Sequence, residues 1–365
     1  MKRRILVSIA TLLVVFVAAN AQTRVVDALD KMPVSAASVF DAAGNMVGFT
    51  TNDGLLSDIQ TQAYPLTIRC MGYEQLTIDQ PGDKTWEMAP VLYELNELVV
   101  SQEKRTVMKQ TFFVREYISL LSNTDTVAVL VERMANCFVP ISKDAKFGGN
   151  SSLNILTSRM YARYKLADDD SVAVDNNPGI PTLLSVMRIV DDEIVAPEHF
   201  KEDGNQAKTY EESGKSGVSL LYRQNSQSFT LVKDALAGKK EHSVSPWVLK
   251  LFGLSMDIRQ LYTTQAYVAN DEGIYKPEDL IEAGFVMEAD GKGKILRKLF
   301  GTEHPAVIRT MIEAYIVDRD YYSNEEAKKE YKNNSAKIEF RIPDTVPPLN
   351  GTTKKMVERA VAEGK

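Results

Sequence analysis

Two of the three histidines are the residues best suited to metal chemistry. His199 and Glu202 form an H-x-x-E pair, and His304 could provide a third ligand. Zinc requires convergent ligands that rigid elements and outer hydrogen-bond partners hold in place. His199 adjoins Pro197 and runs into a charged stretch that is typical of a solvated loop. We therefore predict no metal site, no catalytic residue and no cofactor in this chain.

A second motif imitates a nucleotide site. Gly214-Lys215-Ser216 matches the end of a phosphate-binding loop, whose backbone N–H groups surround the phosphates. That loop needs another glycine five residues earlier, and this position is Thr209. The serine-hydrolase pattern G-x-S-x-G and the zinc pattern H-E-x-x-H do not occur. The sequence therefore predicts no nucleotide binding.

The two cysteines, Cys70 and Cys137, could form a disulfide in an exported protein. Cys70 lies in an alternating strand pattern that turns it towards a core, and Cys137 lies beside the apolar face of a predicted helix. A bridge would require the two Cα atoms to lie within about 7 Å of each other. We therefore favour two buried thiols, which burial makes poor nucleophiles.

The first 21 residues have the features of a secretory signal peptide. Lys2, Arg3 and Arg4 precede an apolar run from Ile5 to Ala19, and cleavage is expected after Ala21. The run is shorter than the ~20 residues that span a bilayer. We therefore predict export to the periplasm or outer membrane, and no transmembrane segment in the mature chain.

The charge of the chain limits its partners. The formal net charge is −6, and it falls to −9 once the three basic residues of the signal peptide are removed. An acidic protein repels nucleic acid and anionic lipid. We therefore expect neither as a partner.

Residues 22–100 contain short apolar alternations separated by turn signals. Gly44-Asn45 and Asn52-Asp53-Gly54 are typical of tight turns between antiparallel strands. After them, Leu66, Ile68 and Cys70 alternate with Thr67, Arg69 and Met71, so the first three should face a core. About seven short strands without a helix predict an all-β sandwich.

The order of these motifs resembles a known family. V-x-D at 25–27, P-V-x-x-A-S-V at 33–39, G-x-x-x-G-x-T-T-x-D-G at 44–54 and G-Y at 72–73 are similar to the carboxypeptidase regulatory-like domain. The segment at 95–100 resembles the one that follows this domain in TonB-dependent outer-membrane receptors. The resemblance implies a transthyretin-like β-sandwich, a noncatalytic accessory role and a Gram-negative envelope.

Two positions depart from the family pattern. Ala36 stands where the family often has glycine, and Leu55 stands where an aromatic residue is common. Both replacements keep a small or apolar side chain.

Residues 101–365 show mixed signals that predict a strand-rich α+β domain. An apolar series from Val127 to Phe138 recurs at helical spacing, after a cap signal at Asn123 and before Pro140. Acidic residues after Ser323 indicate a second helix start. We predict helices over 127–138, 182–190, 324–329 and 352–362, and strands over 152–166, 218–223, 228–232, 244–251, 258–268, 306–318 and 337–342.

These features favour a noncatalytic exported envelope protein that binds a protein or glycan partner. The alternatives are an envelope hydrolase with its active site in 105–365, using paired carboxylates or a His199-centred site, and an assembly component. Five tyrosines could line a binding groove or fill strand contacts, and packing is the favoured interpretation. They are Tyr262, Tyr267, Tyr315, Tyr321 and Tyr322.

Overall fold

A computed structural model of the chain defines the fold. It describes residues 23–56, 63–82, 84–91, 105–123, 125–146, 154–167, 169–176, 178, 193–198, 208–213, 218–224, 227–237, 253–300, 305–333 and 338–364. The predicted signal peptide, the predicted helix over 182–190 and the predicted strand over 244–251 lie outside these residues.

Six short strands form an N-terminal module, which we define as residues 24–91. A four-stranded antiparallel sheet has the order β3-β2-β4-β5, and β1 pairs with β6 in parallel. Val25 and Trp86 of the pair pack on Leu66 and Ile68 of the larger sheet in one apolar core. The strands are β1 Arg24–Asp27, β2 Ser38–Phe40, β3 Met46–Phe49, β4 Leu66–Arg69, β5 Leu76–Ile78 and β6 Thr85–Met88.

Ten strands from the described residues after the module build one antiparallel sheet with the strand order β10-β9-β8-β7-β18-β17-β15-β14-β13-β12. A small separate pair joins β11 to β16. The β-rich part of the predicted fold class is therefore confirmed. The strands are β7 Val107–Ser122, β8 Asp125–Pro140, β9 Asn154–Leu166, β10 Asp169–Asp175, β11 Ile194–Val195, β12 Lys208–Ser213, β13 Ser219–Gln224, β14 Ser228–Asp234, β15 Leu254–Val268, β16 Ile274–Tyr275, β17 Leu280–Gly293 and β18 Ala306–Tyr322.

The helix predicted over 127–138 is wrong, because these residues form β8. The apolar series matched helical spacing only because side chains on both faces of β8 are buried. Asn123, the expected cap residue, instead has a φ of 44° between β7 and β8, where Ser122 pairs with Asp125. Asparagine tolerates this left-handed conformation, which suits a tight hairpin connection.

Both faces of the large sheet are covered, and the module lies on one of them. Phe40 of the module contacts Tyr117 edge to face, with 5.3 Å between ring centroids, and Phe49 contacts Tyr262 at 5.9 Å. The backbone N–H of Met46 donates to Ser119 Oγ at 2.8 Å. The module and the sheet therefore share one buried apolar cluster. We call the face of the sheet that carries Tyr117, Ser119 and Tyr262 the module face.

Three helices complete the described fold: α1 Lys294–Phe300, α2 Asn324–Asn333 and α3 Gly351–Glu363. The predictions of α2 and α3 are confirmed. Ser323 and Glu326 form a reciprocal capping box at the start of α2, and Asn350 Oδ1 accepts from the N–H of Thr353 at 2.6 Å. None of the described helices combines the length and apolar character needed to cross a bilayer.

The strand predicted over 337–342 is wrong for the residues that the structure describes. Residues 338–350 form an irregular segment, which we call the strap, and it crosses the module face before α3. The Phe340 ring lies under the guanidinium of Arg159, 4.6 Å from its centroid, and Val346 is buried against Phe113. The strap therefore covers the sheet through side chains without joining its hydrogen-bond ladder.

We expect acid to weaken the docking of α3 on β9 and β10. Asp170 accepts from Arg163 at 2.7 Å and from Arg359 of α3 at 2.8 Å, and these bonds hold its pKa well below the usual range. A carboxyl whose folded pKa is depressed stabilises the fold above its unfolded pKa of about 3.9. This contribution is lost as the pH falls further, through the folded pKa.

Urea denaturation of wild type and Asp170→Asn tests this prediction. The wild type should be the more stable at neutral pH, and the difference should shrink at about pH 3 and below. A difference that does not change with pH would contradict the role of the Asp170 charge.

Candidate functional site

The module is fastened to the sheet by a buried ion pair. Arg69 follows Leu66 and Ile68 in β4, and strand alternation points it away from the core of the module. Its Nη2 donates to both carboxylate oxygens of Glu313, at 3.1 and 3.0 Å. Both side chains are at most 5% exposed. Burial opposes the charge on Arg69, but Glu313 and neighbouring groups together raise its pKa above the ordinary value.

This pair begins a row of alternating charges across the module face. Cross-strand register places Glu313 of β18 opposite Arg115 of β7, Arg115 opposite Glu132 of β8, and Glu132 opposite Arg159 of β9. The Nε of Arg115 donates to Glu132 at 2.9 Å, and both side chains are almost fully buried. We call Arg69, Glu313, Arg115, Glu132 and Arg159 the charge row. Each internal charge lies between two opposite charges.

The strap closes over the charge row. The carbonyl oxygen of Pro347 accepts from Arg115, and that of Pro348 accepts from Arg69 at 3.1 Å. Gln75 of the module accepts a further bond from Arg69 at 3.1 Å. The guanidinium of Arg69 is thus bonded to module, sheet and strap at once, and that of Arg115 to sheet and strap, which is how buried arginines avoid unpaired donors.

A glycine at the end of the charge row lets the module approach the sheet. Gly284 of β17 lies opposite Glu313. A Cβ atom at this position would lie 2.4 Å from Met71 Cε and 2.4 Å from the carbonyl oxygen of Ile312. Any larger residue would therefore collide with both the module and the neighbouring strand.

A second arginine also joins the sheet to the module, but here the arginine belongs to the sheet and its acceptors belong to the module. Arg223 of β13 donates to Asp30 at 2.8 Å and to the hydroxyl of Tyr73, and it lies 3.4 Å from a carboxylate oxygen of Asp27. Tyr73 in turn donates to Asp27 at 3.0 Å. Burial raises the pKa of Tyr73 well above its ordinary value, so its hydroxyl stays protonated.

Beside these contacts lies a cleft with a volume of about 610 Å³, which we call the junction cleft. One wall is residues 69–75 and Val91 of the module, and the opposite wall is Thr345, Pro347 and Pro348 of the strap. The sheet contributes the floor through Ile281, Glu282, Glu313 and residues 315–317. Three separate parts of the chain therefore meet at this one cleft.

A β-bulge shapes the floor of the junction cleft. Ile316 pairs with Phe112 and Asp318 pairs with Thr111, which leaves Val317 as an extra residue in β18. Bulges bend a strand and redirect its side chains, and they are common beside functional sites. Here the bulge brings Tyr315, Ile316 and Val317 to the same cleft.

The cysteine of the junction cleft is a poor nucleophile. Burial raises the pKa of the Cys70 thiol to about 12, and Cys70 Sγ donates to the carbonyl oxygen of Ser35 at 3.6 Å. Burial likewise raises the pKa of Cys137, on β8, to about 12. The two thiols do not form a disulfide; Cys137 is buried, as the sequence predicted, and Cys70 is partly buried. The cleft offers hydrogen-bond acceptors and apolar surface, and Cys70 does not supply thiolate chemistry.

The residues that the sequence singled out have different outcomes. His199, Glu202, His304 and residues 214–216 lie outside the described part of the chain. Within that part, no three His, Cys, Asp or Glu side chains are placed to hold a metal.

Of the five tyrosines, Tyr315 alone lines the junction cleft. Tyr262 and Tyr267 are buried in apolar clusters, and Tyr322 packs against Phe138 at 6.4 Å. Tyr321 packs against the edge of the main cluster. Packing, the favoured interpretation, accounts for these four.

Comparison with known proteins identifies no family. No family model matches the chain, and no curated protein matches it. A solved structure titled "Lipid-protein interactions in lipovitellin" aligns with 61% of this chain and 26% of its own chain, at 10% sequence identity and a TM-score of 0.29. The aligned part is about a quarter of that lipovitellin chain, and we base no conclusion on so low a score.

Sequence reasoning missed the residues that build the junction. Arg69, Arg115 and Glu313 each lie inside an apolar strand segment, and a charge in such a place needs a buried partner. That signal was available in the sequence. The identity of each partner could not be predicted from the sequence, because Arg69 and Glu313 are 244 residues apart.

Proposed function

We propose that this protein is a noncatalytic exported protein of a Gram-negative envelope, and that a protein or glycan partner binds in its junction cleft. The observation that carries the proposal is the cleft itself, which forms where module, sheet and strap meet. Clefts of a few hundred Å³ with apolar walls and a few polar groups are the usual form of binding sites.

We further propose that the module is the carboxypeptidase regulatory-like sandwich that its motifs resemble. Two small sheets around one core support this subtype. Two glycines of the matched motifs, Gly54 and Gly72, have φ angles of 69° and 80°, which favour glycine. At Gly54 a Cβ atom would also lie 2.4 Å from the carbonyl oxygen of Val25. The motif residues thus have a conformational reason to be where they are.

The pairing of buried carboxylates supports a binding role over the hydrolase alternative. Glu132 and Glu313 belong to the charge row, and Glu116, on the opposite face of β7, accepts from Arg133 at 2.9 Å. A general acid or base must be able to reach a substrate and exchange a proton. These three carboxylates are instead buried, and each is bonded to an arginine, so none of them is free to reach a substrate.

A cleft-filling variant tests the proposed function. Thr345 is exposed on the strap wall, so Thr345→Trp should fill the cleft without removing a buried contact. Asp344→Trp places the same ring on the adjacent exposed residue, which does not line the cleft. Tagged proteins would be incubated with detergent-solubilised envelope, and the captured proteins and glycans would be compared by mass spectrometry.

The wild type and Asp344→Trp should capture the same partner, and Thr345→Trp should lose it. Equal capture by all three would place the binding surface elsewhere. No specific capture by the wild type would overturn the proposed binding function.

A further inference from the structure

We propose that two copies of this protein associate through strap residues 338–342, which we call the pairing segment. The two segments pair as antiparallel strands related by a two-fold axis. The proposal does not depend on the junction cleft, whose strap wall begins at Thr345. It follows from three properties of the pairing segment: its unpaired backbone, the order of its side chains, and its place at a corner of the large sheet.

The pairing segment has the sequence pattern of a strand but no strand partner. Ile338, Phe340 and Ile342 alternate with two charged residues, as in a strand with one apolar face. No hydrogen bond joins the backbone of 338–342 to any other residue that the structure describes. A row of unpaired N–H and C=O groups is a template on which another chain can add a strand. Pro343, which has no N–H, ends the row.

The order of the side chains makes the pairing segment complementary to itself. When two copies pair antiparallel about Phe340, Glu339 of each lies opposite Arg341 of the other, and Ile338 lies opposite Ile342. Each of these favourable cross-strand pairs therefore occurs twice. A slip of two residues would instead put Glu339 opposite Glu339, or Arg341 opposite Arg341. The charges thus specify a single register.

The side chains that would form these pairs are free to do so. Glu339 is exposed and has no hydrogen bond or ion pair with another described residue. Arg341 lies 3.9 Å from Asp344, and these side chains are 83% and 95% exposed, so this contact contributes little. Ile338 and Ile342 are 40% and 43% exposed, which is unusual for large aliphatic residues that alternate with charges.

The pairing segment lies at a corner of the large sheet. The Phe340 ring is its anchor, held under the guanidinium of Arg159 on β9 and against Phe113 on β7. Strand β10 ends at Asp175, which pairs with Met160, so the part of β9 before Met160 is a sheet edge among the described strands. A second copy can therefore approach the pairing segment from this side.

The self-complementary order selects a second copy of this chain over another partner. A two-fold dimer uses the same surface patch on both subunits, so residue i contacts residue j and residue j contacts residue i. Five residues on each side form a small contact beside the roughly 20–30 residues of a standard interface. We therefore expect a reversible dimer whose population rises with protein concentration.

Charge reversal within the pairing segment tests the proposal. Sedimentation velocity over a range of concentrations would measure the dimer dissociation constant for the wild type, Glu339→Arg, Arg341→Glu and the double variant with both changes. Lys354→Glu, an exposed reversal on α3, is the control, since it changes charge as Arg341→Glu does but lies outside the pairing segment. All the replaced side chains are exposed, so each variant should fold, and circular dichroism would check this.

The wild type and Lys354→Glu should dimerise equally. Each single reversal within the pairing segment puts like charges opposite each other at two positions, and should weaken the dimer on the order of tenfold. The double variant should recover the dimer, because it restores opposite charges at both positions. An equal mixture of Glu339→Arg and Arg341→Glu should also dimerise, because each charged position of one variant then meets the opposite charge on the other.

Three results would overturn the proposal. The first is a wild type that stays monomeric at every concentration. The second is a dimer that neither single reversal weakens, which would place the contact elsewhere on the surface. The third is a mixture of the two reversal variants that stays as weakly associated as each variant alone.

Discussion

Replacement of Glu313 with alanine should destabilise the protein by about 3–5 kcal/mol, the range measured when one partner of a buried ion pair is removed. Arg69 would keep its charge in a site where it is 5% exposed. Arg115, opposite Glu313 in the register, would lose one of its two flanking carboxylates. Urea denaturation followed by the fluorescence of Trp86, which is buried in the core of the module, would measure the change.

Two controls show whether the loss comes from the unpaired charge. The double variant Arg69→Met with Glu313→Leu removes both charges and should recover most of the lost stability, because apolar replacement of a buried pair is often neutral or favourable. Glu325→Ala breaks an exposed pair with Lys328 and should change stability by less than about 1 kcal/mol. A double variant as unstable as Glu313→Ala would contradict this explanation.

Addition of a single methyl group at Gly284 should destabilise the fold by about 1–3 kcal/mol, the usual cost of overpacking a core. The new Cβ would meet Met71 Cε and the carbonyl oxygen of Ile312, each at 2.4 Å. Met71 is a flexible side chain and could move, but the carbonyl oxygen belongs to the adjacent strand. The Gly284→Ala variant should therefore loosen the contact between the module and the sheet.

Gly82→Ala is the matched control, because a Cβ there would have no atom within 4 Å. It should change stability by no more than about 0.5 kcal/mol. Urea denaturation of both variants would measure the difference, and hydrogen exchange of β4 would show whether the module loosens. Equal stability of the two variants would mean that the close approach at Gly284 is not a constraint.

The sequence predicted well those elements whose signals are local. The N-cap signal at Ser323, with acidic residues in the first turn, indicated α2, and the amphipathic pattern near the end of the chain indicated α3. The turn glycines and the alternation around Ile68 indicated the strands of the module. In each case the conformation depends on neighbours within a few residues, so the pattern can be read without knowledge of the fold.

The strands predicted over 152–166, 258–268 and 306–318 correspond to β9, β15 and β18, but the long strands β7, β8 and β17 were not predicted, for a physical reason. Strands β7 and β17 are buried on both faces, so they lack the alternation that marks a half-exposed strand. The same absence made β8 look like a helix. What decides these segments is the covering of the sheet on both sides, and that covering comes from distant parts of the chain.

The junction cleft was beyond prediction for the same reason. Its module wall, its floor and its strap wall come from residues near 70, 315 and 345. The bulge at Val317 depends on the pairing of β18 with β7. No local sequence pattern predicts which residues of these two strands pair with each other.

By itself, the sequence determined most strands and turns of the module and the starts of α2 and α3, and it favoured two buried thiols over a disulfide. Tertiary structure alone decided that Arg69 binds Glu313, that Gly284 lets the module approach, and that a cleft opens beside them. The physical reason is the distance along the chain over which each effect acts. Capping and turn preferences act over a few residues, whereas a buried charge is stabilised only by the partner that folding brings to it.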